Sequence, residues 1–127
     1  MVTLAELVGI LDETLNVSGV PDYGGAVNGL QLENGSGRVV RLVAAVDASL
    51  AVMEEVAAME GPVLLLVHHG MYWSGMPPLS GAAYRKVAGA IRADMAVYSA
   101  HIPLDVHPEL GNNVRLAAAL GLSLIHI

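Results

Sequence analysis

Two short stretches of the sequence concentrate side chains able to bind metal. His68-His69-Gly70 follows one apolar run and His101-Ile102-Pro103-Leu104-Asp105-Val106-His107 follows another, so four of the five histidines fall between positions 68 and 107. Neutral imidazole suits zinc, iron, nickel or copper, and a carboxylate such as Asp105 widens the choice to manganese and magnesium. Adjacent side chains of an extended segment point to opposite sides, so His68 and His69 suit two ions held side by side better than chelation of one. Dinuclear centres hold their ions about 3.5 to 4 Å apart. The chain contains no cysteine, which excludes thiolate zinc sites, a cysteine nucleophile and disulfide staples. Any metal must rest on nitrogen and oxygen.

Each of these residues also has an ordinary structural reading. A His-His pair at a strand end is also explained as polar residues leaving the core. His101 and His107 read more readily as loop histidines beside a site than as ligands. Asp105 alone would be a turn residue before a helix, and Asp47 a helix cap rather than a catalytic acid. Trp73, with Met71, Tyr72 and Met76, reads as a lid over a site or as an apolar contact to another domain or subunit, the contact being preferred. Asn112-Asn113 is explained by capping. Gly24-Gly25 precedes neither a lysine nor a clear helix start, so no phosphate-binding loop is present.

The elements that must position these residues follow from pattern. Thr3-Leu4-Ala5-Glu6 is a capping box, and Leu4, Leu7, Val8, Leu11 and Leu15 recur at helical spacing, which predicts a helix to about Leu15. A breaker-rich loop from Gly19 to Gly25 leads to a short strand, Gly29-Leu30-Gln31-Leu32, and a turn at Asn34-Gly35. Arg38 to Val46 reads as a longer strand whose continuously apolar second half is expected to be buried on both faces of a parallel sheet. A helix capped within Asp47-Ala48-Ser49 and ending near Met59 precedes a second apolar strand, Val63 to Val67. After a Gly/Met/Pro-rich loop, a third helix carries Tyr84, Val87, Ala88 and Ile91 on one face. The strand Met95 to Ala100 and a last helix over Val114 to Leu120 complete the alternation. Strands alternating with helices predict an α/β fold with a mostly parallel sheet flanked by helices. Ligands of such sheets bind outside the carboxyl ends of the strands, directly after Val46, Val67 and Ala100.

Composition narrows the function classes. A length of 127 residues bounds the chain to one compact unit. A formal charge of -6 with six scattered basic residues offers no stripe for a phosphate backbone, so nucleic acid is not an expected partner. Mean hydropathy is high, at +0.57, yet every apolar run is far shorter than the roughly 20 residues of a membrane span. The N-terminus lacks a basic opening and is interrupted by Glu6, Asp12 and Glu13, unlike a signal peptide, so a cytoplasmic location is expected. High apolar content with few aromatics implies surface covered by something outside the sequence.

Four strings resemble a known family, the NIF-three-like dinuclear metal-centre proteins, or type-two GTP cyclohydrolase homologues. They are Asn28-Gly29-Leu30-Gln31-Leu32, Val46-Asp47-Ala48-Ser49, the nine residues from Val67 to Gly75, and the fifteen from Ser99 to Asn113. The likeness covers most of residues 1 to 121. It implies an α/β fold assembled as a toroidal homo-hexamer with two divalent ions, zinc, iron, manganese or another, on the inner side of each subunit. His68 and His69 match the two family histidines that serve different ions, Asp105 matches a carboxylate on one ion, and His101 lies beside the site. The family's remaining ligands, a histidine followed four residues later by a glutamate, belong to a considerably longer chain and have no counterpart here.

The expectation is therefore a truncated N-terminal half of a larger fold over residues 1–121, with an incomplete site. Leu122-Ser123-Leu124-Ile125-His126-Ile127 resembles a translated sequencing adapter, so His126 is set aside. The resemblance points to a metal-dependent hydrolase of a small-molecule substrate that the sequence does not identify. The alternatives are non-catalytic metal handling or a regulatory hexamer, and a fragment inactive by itself.

Overall fold

The structure, a computed structural model, describes residues 1–123; residues 124–127, with His126 and most of the adapter-like tail, lie outside the described residues. The chain runs β1 (Val2–Thr3), α1 (Leu4–Leu15), a short 3-10 turn (Gly24–Ala26), β2 (Gly29–Leu32), β3 (Arg38–Val39), β4 (Arg41–Asp47), α2 (Leu50–Ala57), β5 (Val63–His69), α3 (Gly81–Arg92), β6 (Met95–Ser99), α4 (Ile102–Asp105) and α5 (Asn112–Ala119). Four strands form the main sheet in the order β2-β6-β5-β4. β4, β5 and β6 are parallel, and β2 joins β6 antiparallel. The expected mostly parallel α/β sheet is present, and β5 and β6, which end in the two histidine-bearing segments, are neighbours.

Alternation along the central strands builds both halves of the core. Val63, Leu65 and Val67 of β5 join Met95 and Val97 of β6 against Met53, Val56 and Ala90 of the two helices on one face. Leu64, Ala96 and Tyr98 meet Leu4 and Leu15 of α1 on the other. The period of two thus serves two helix layers at once. Thr3 and Glu6 close the expected capping box at the start of α1.

Three local expectations are corrected. The predicted strand over Arg38 to Val46 is broken at Val40: β3 pairs with β1, Val40 N–H donates to the Pro62 carbonyl at 3.0 Å, and β4 begins in the other sheet. β4 is also an edge strand rather than one buried on both faces, with Leu42 50% and Val46 64% exposed. Val43 and Ala45 pack on the α2–α3 side, whereas the contacts of α1 go to Leu64, Ala96 and Tyr98 and leave the opposite face of β4 open. On α3 the covered side runs through Ala83, Val87 and Ala90, and Tyr84 and Ile91 point outward. That stripe, at i, i+4 and i+7, is one position away from the predicted one.

Tyr98 ties the layers together. Its ring is fully buried and its hydroxyl donates to Asp12 Oδ1 on α1 at 2.7 Å. Burial pushes the phenol's pKa up, and the hydrogen bond to Asp12 and that carboxylate's charge push it the same way. Tyr98→Phe is expected to lose about 1 kcal/mol, the net worth of one hydrogen bond, measurable as a lower urea midpoint with an unchanged slope. An unaltered midpoint would remove Asp12 from the account.

Candidate metal centre

The carboxyl ends of β5 and β6 bring three histidines together. His68 and His69 are the last residues of β5, and His101 follows β6 by two residues. One ring nitrogen from each lies within 4.8 Å of the others. The His68 and His69 rings are 4.6 Å apart between centroids, and the His68 and His101 rings 4.8 Å. The expected divergence of the adjacent pair is overturned, because tethers on opposite sides turn the two imidazoles inward. His68 Nδ1 donates to the Ala100 carbonyl at 3.0 Å, on the β6 side. His69 Nδ1 donates to Asp47 Oδ1 at 2.7 Å, on the β4 side.

Asp47 is therefore no helix cap. It ends β4 in register with His69, and the cap of α2 is Ser49, whose hydroxyl accepts from Val52 N–H at 3.3 Å. His101 is tethered in the same manner. Its Nδ1 donates to the Asp22 carboxylate at 3.0 and 3.1 Å, and its backbone N–H donates to Asn28 Oδ1 at 2.8 Å.

Asp22 lies in the breaker-rich loop before β2, where no local pattern marks it. Its side chain is only 6% exposed. Desolvation pushes its pKa up, but hydrogen bonds from Asn28, His101, Ile102 N–H and Tyr23 N–H outweigh that and hold it at about 2. Gln31, expected only as a strand residue, lies in β2. Its amide donates to the Ala26 and Val27 carbonyls and accepts from Met71 N–H at 2.7 Å, which fixes the loop after the histidine pair. A Cβ at Gly70 would collide with that same amide, so the glycine after the pair is there for close approach.

Asp105 reaches the cluster from α4. Its Oδ2 lies 3.6 Å from His68 Nε2, and its Oδ1 accepts from Asn112 Nδ2 at 2.8 Å. Asn112 thus orients a carboxylate instead of capping α5, whose N-cap is Gly111. His107 turns back on its own loop, where its Nδ1 accepts from Glu109 and Leu110 N–H.

Trp73 lies beside the site and is still 41% exposed. Its ring is 4.4 Å from that of His101 and 5.3 Å from that of His69, with Tyr23 edge-on to it at 6.4 Å. Met71, Tyr72 and Met76 instead line an apolar pocket of about 150 Å³ beside Leu32, Lys86 and Val87.

The donor set fits a divalent metal. Imidazoles that bind metal characteristically give their second ring nitrogen to a carbonyl or carboxylate, and all three histidines do so through Nδ1. That leaves Nε2 as the remaining ligand atom of each ring, the one on His68 having Asp105 Oδ2 at 3.6 Å. Asp105 adds an oxygen donor.

Proteins similar to this chain in sequence and fold are known. The protein named "GTP cyclohydrolase 1 type 2 homolog" of Deinococcus radiodurans is 46% identical over 118 residues, 93% of this chain and 43% of that protein. Its namesake in Pyrococcus abyssi is 43% identical over 92% of this chain and 45% of its own length. The chain thus spans somewhat less than half the length of the curated relatives it matches. Among solved structures, TTHA1606 from Thermus thermophilus superposes with a TM-score of 0.87 at 36% identity, over 97% of this chain and 50% of that one. Protein ybgI, titled as of unknown function, gives 0.86 at 37% identity over 96% and 48%. No helix among the described residues is long and apolar enough to cross a membrane. The family model described as Duf34/NIF3 (NGG1p interacting factor 3) matches residues 2–127, and with that match the chain belongs to the Duf34/NIF3 family.

Proposed function

We propose that this chain contributes the histidine-rich part of a divalent-metal centre in a cytoplasmic, homo-hexameric protein, and that the intact protein is a metal-dependent hydrolase. The observation that supports this reading best is the shared tether of His68, His69 and His101, each holding Nδ1 on an oxygen so that Nε2 remains as the ligand atom. In the dinuclear arrangement that the resemblance implies, His68 and His69 would hold different ions and Asp105 would add an oxygen donor to one of them. Divalent ions supply Lewis acidity and make water nucleophilic near neutral pH. The chain's own residues orient the ligands: Asp47 and the Ala100 carbonyl fix the two rings, Asn112 fixes Asp105, and the Trp73 ring lies 5.3 Å from that of His69.

A second reading, metal handling without turnover, is favoured by one feature of the site. Asp22 has both oxygens engaged by its neighbours, and Asp47 and Asp105 each have one oxygen tied to a histidine or an amide, so these carboxylates serve first to hold other groups in place. The name shared by the curated relatives makes GTP the first substrate to try. Formate release should be followed with an intact relative loaded with metal, before and after the change His69→Ala. Release that disappears with the change supports the hydrolase; none at full metal occupancy overturns it and leaves metal handling.

A further inference from the structure

We propose that the groove between the loop after β5 and the start of α3 is an anion-binding subsite, in which Lys86 holds a phosphate or carboxylate group of a small-molecule substrate and Trp73 takes a flat part of the same molecule. The proposal deepens the hydrolase reading above and rests on it for the occupant being a substrate. The binding itself requires no metal.

Two cavities meet at Lys86. One is the apolar pocket of about 150 Å³, walled by Leu32, Met71 and Val87 among others. The other is an open groove of about 530 Å³, walled by Gly70, the residue after His69, by Trp73, and by Ser80, Ala83 and Lys86 on the helix side. A long apolar stem with its charge at the tip suits a wall shared by an apolar pocket and an open groove. Among the described residues, no other charged side chain lines either cavity.

The fold supplies this ammonium with no counter-charge. The chain has twelve acidic residues against six basic ones, and a cation drawn partly out of water ordinarily finds a carboxylate. Among the described residues none forms an ion pair or hydrogen bond with Lys86. Burial pushes the lysine's pKa down, the behaviour of an ammonium that has lost water and gained no anion. An oxyanion in the groove would restore the missing charge and accept the ammonium protons in charge-assisted hydrogen bonds. The ammonium is a compact point charge, so it serves phosphate and carboxylate alike.

Trp73 defines the other part of the ligand. Its ring is 41% exposed while lying 4.4 Å from that of His101 and 5.3 Å from that of His69. An exposed indole beside the histidine cluster offers a stacking surface to a flat ring. A molecule with its anion on Lys86 and its ring on Trp73 is thereby held next to the candidate metal centre. Lys86 is a specificity-determining residue in this scheme, because it meets the charged group and leaves the reacting atoms to the histidine side.

Phenyl phosphate, benzoate and benzyl alcohol, each titrated into the metal-free chain, test the subsite. Trp73 is the one tryptophan of the sequence, so its fluorescence reports on the groove. The proton–carbon resonances of the Lys86 ε-methylene report on the anion and require no variant to fold. Saturable changes in both are expected with an anion, the tighter of the two showing whether the group is a phosphate or a carboxylate, and benzyl alcohol should bind at least ten-fold more weakly. Lys86→Gln should weaken the tighter anion about ten-fold or more, the share of one hydrogen bond to a charged group. Lys86→Arg should retain binding, and Arg85→Gln, at the exposed neighbouring cation, should match the parent.

The subsite is overturned if neither anion moves the Lys86 resonances of the unsubstituted chain, if benzyl alcohol binds as tightly as the anions, or if Lys86→Gln binds them with the parent's affinity. The formate assay then still decides the hydrolase by itself. If an anion binds through Lys86 and an intact, metal-loaded relative shows no turnover, the hydrolase reading falls and the anion site stands.

Discussion

Asp22→Ala is expected to destabilise the fold by about 4 kcal/mol, the cost of leaving partners of a buried charged group unpaired. The carboxylate receives the His101 ring N–H, the Asn28 amide, and the backbone N–H groups of Ile102 and Tyr23. These partners come from two segments, one before β2 and one after β6, that this side chain and Asn28 tie together. Alanine fills none of the acceptor positions and leaves no room for bulk water, since the site is 6% exposed. Asp22→Asn keeps one acceptor oxygen and should lose only about 2 kcal/mol. Stability of a domain this size is about 5 to 15 kcal/mol, so the alanine variant should melt far below the parent.

The same carboxylate sets an acid limit. Its folded pKa, about 2, lies below the ordinary value of 3.8. A depressed pKa contributes stability that is complete above the unfolded value and is lost as pH falls through the folded one. The parent should therefore lose stability between about pH 5 and pH 2, and Asp22→Ala should lack that part of the acid dependence. Urea melts across this range would show it. Parallel curves for parent and variant would mean that another carboxylate carries the acid sensitivity.

What was legible in the sequence was mostly local. β5 and β6 are readable because Val63 to Val67 is apolar at every step, Met95 to Ala100 is interrupted only by Ser99, and polar residues follow each. Leu42 to Val46 carries the same pattern, and its edge position could not be read from it, because sheet order is decided by how the crossovers pack. The face of α3 was misread because alanines flank both candidate stripes, so Tyr84 and Ile91 weighed more than they should. At the site, ligand types at strand ends were visible in His68, His69 and Asp105. Their tethers were not. Asp22 lies 79 residues from His101 in a loop without periodicity, and Asp47 looked like a cap because Asp47-Ala48-Ser49 offers two capping side chains where only Ser49 is used. Asn112 was mistaken in the same way: it begins a helix, but its amide is spent on Asp105.

Gly111→Ala is expected to cost about 3 kcal/mol, the upper part of the usual range for overpacking, and to loosen Asp105 from its place beside His68. Conformation is not the reason, since φ of -61° and ψ of 146° suit any residue. Space is. A Cβ here would collide with the His107 carbonyl oxygen and come within 2.7 Å of that of Asp105 and 2.8 Å of that of Leu104. Backbone oxygens cannot swing aside as a long side chain can, so the loop itself must move. Little of it is free to do so. Gly111 N–H donates to His107 at 3.0 Å, and the His107 ring is bonded to Glu109 and Leu110 N–H. The remaining relief lies at Asn112, whose 2.8 Å bond orients Asp105. Gly9→Ala is the matched control: Gly9 lies within α1 with nothing within 4 Å of a new Cβ, and the change should stabilise by about 0.5 to 1 kcal/mol. Urea unfolding and cobalt titration of the two variants separate space from composition. If Gly111→Ala melts with the parent and binds cobalt as the parent does, the close packing of this loop is not what holds Asp105 at the histidine cluster.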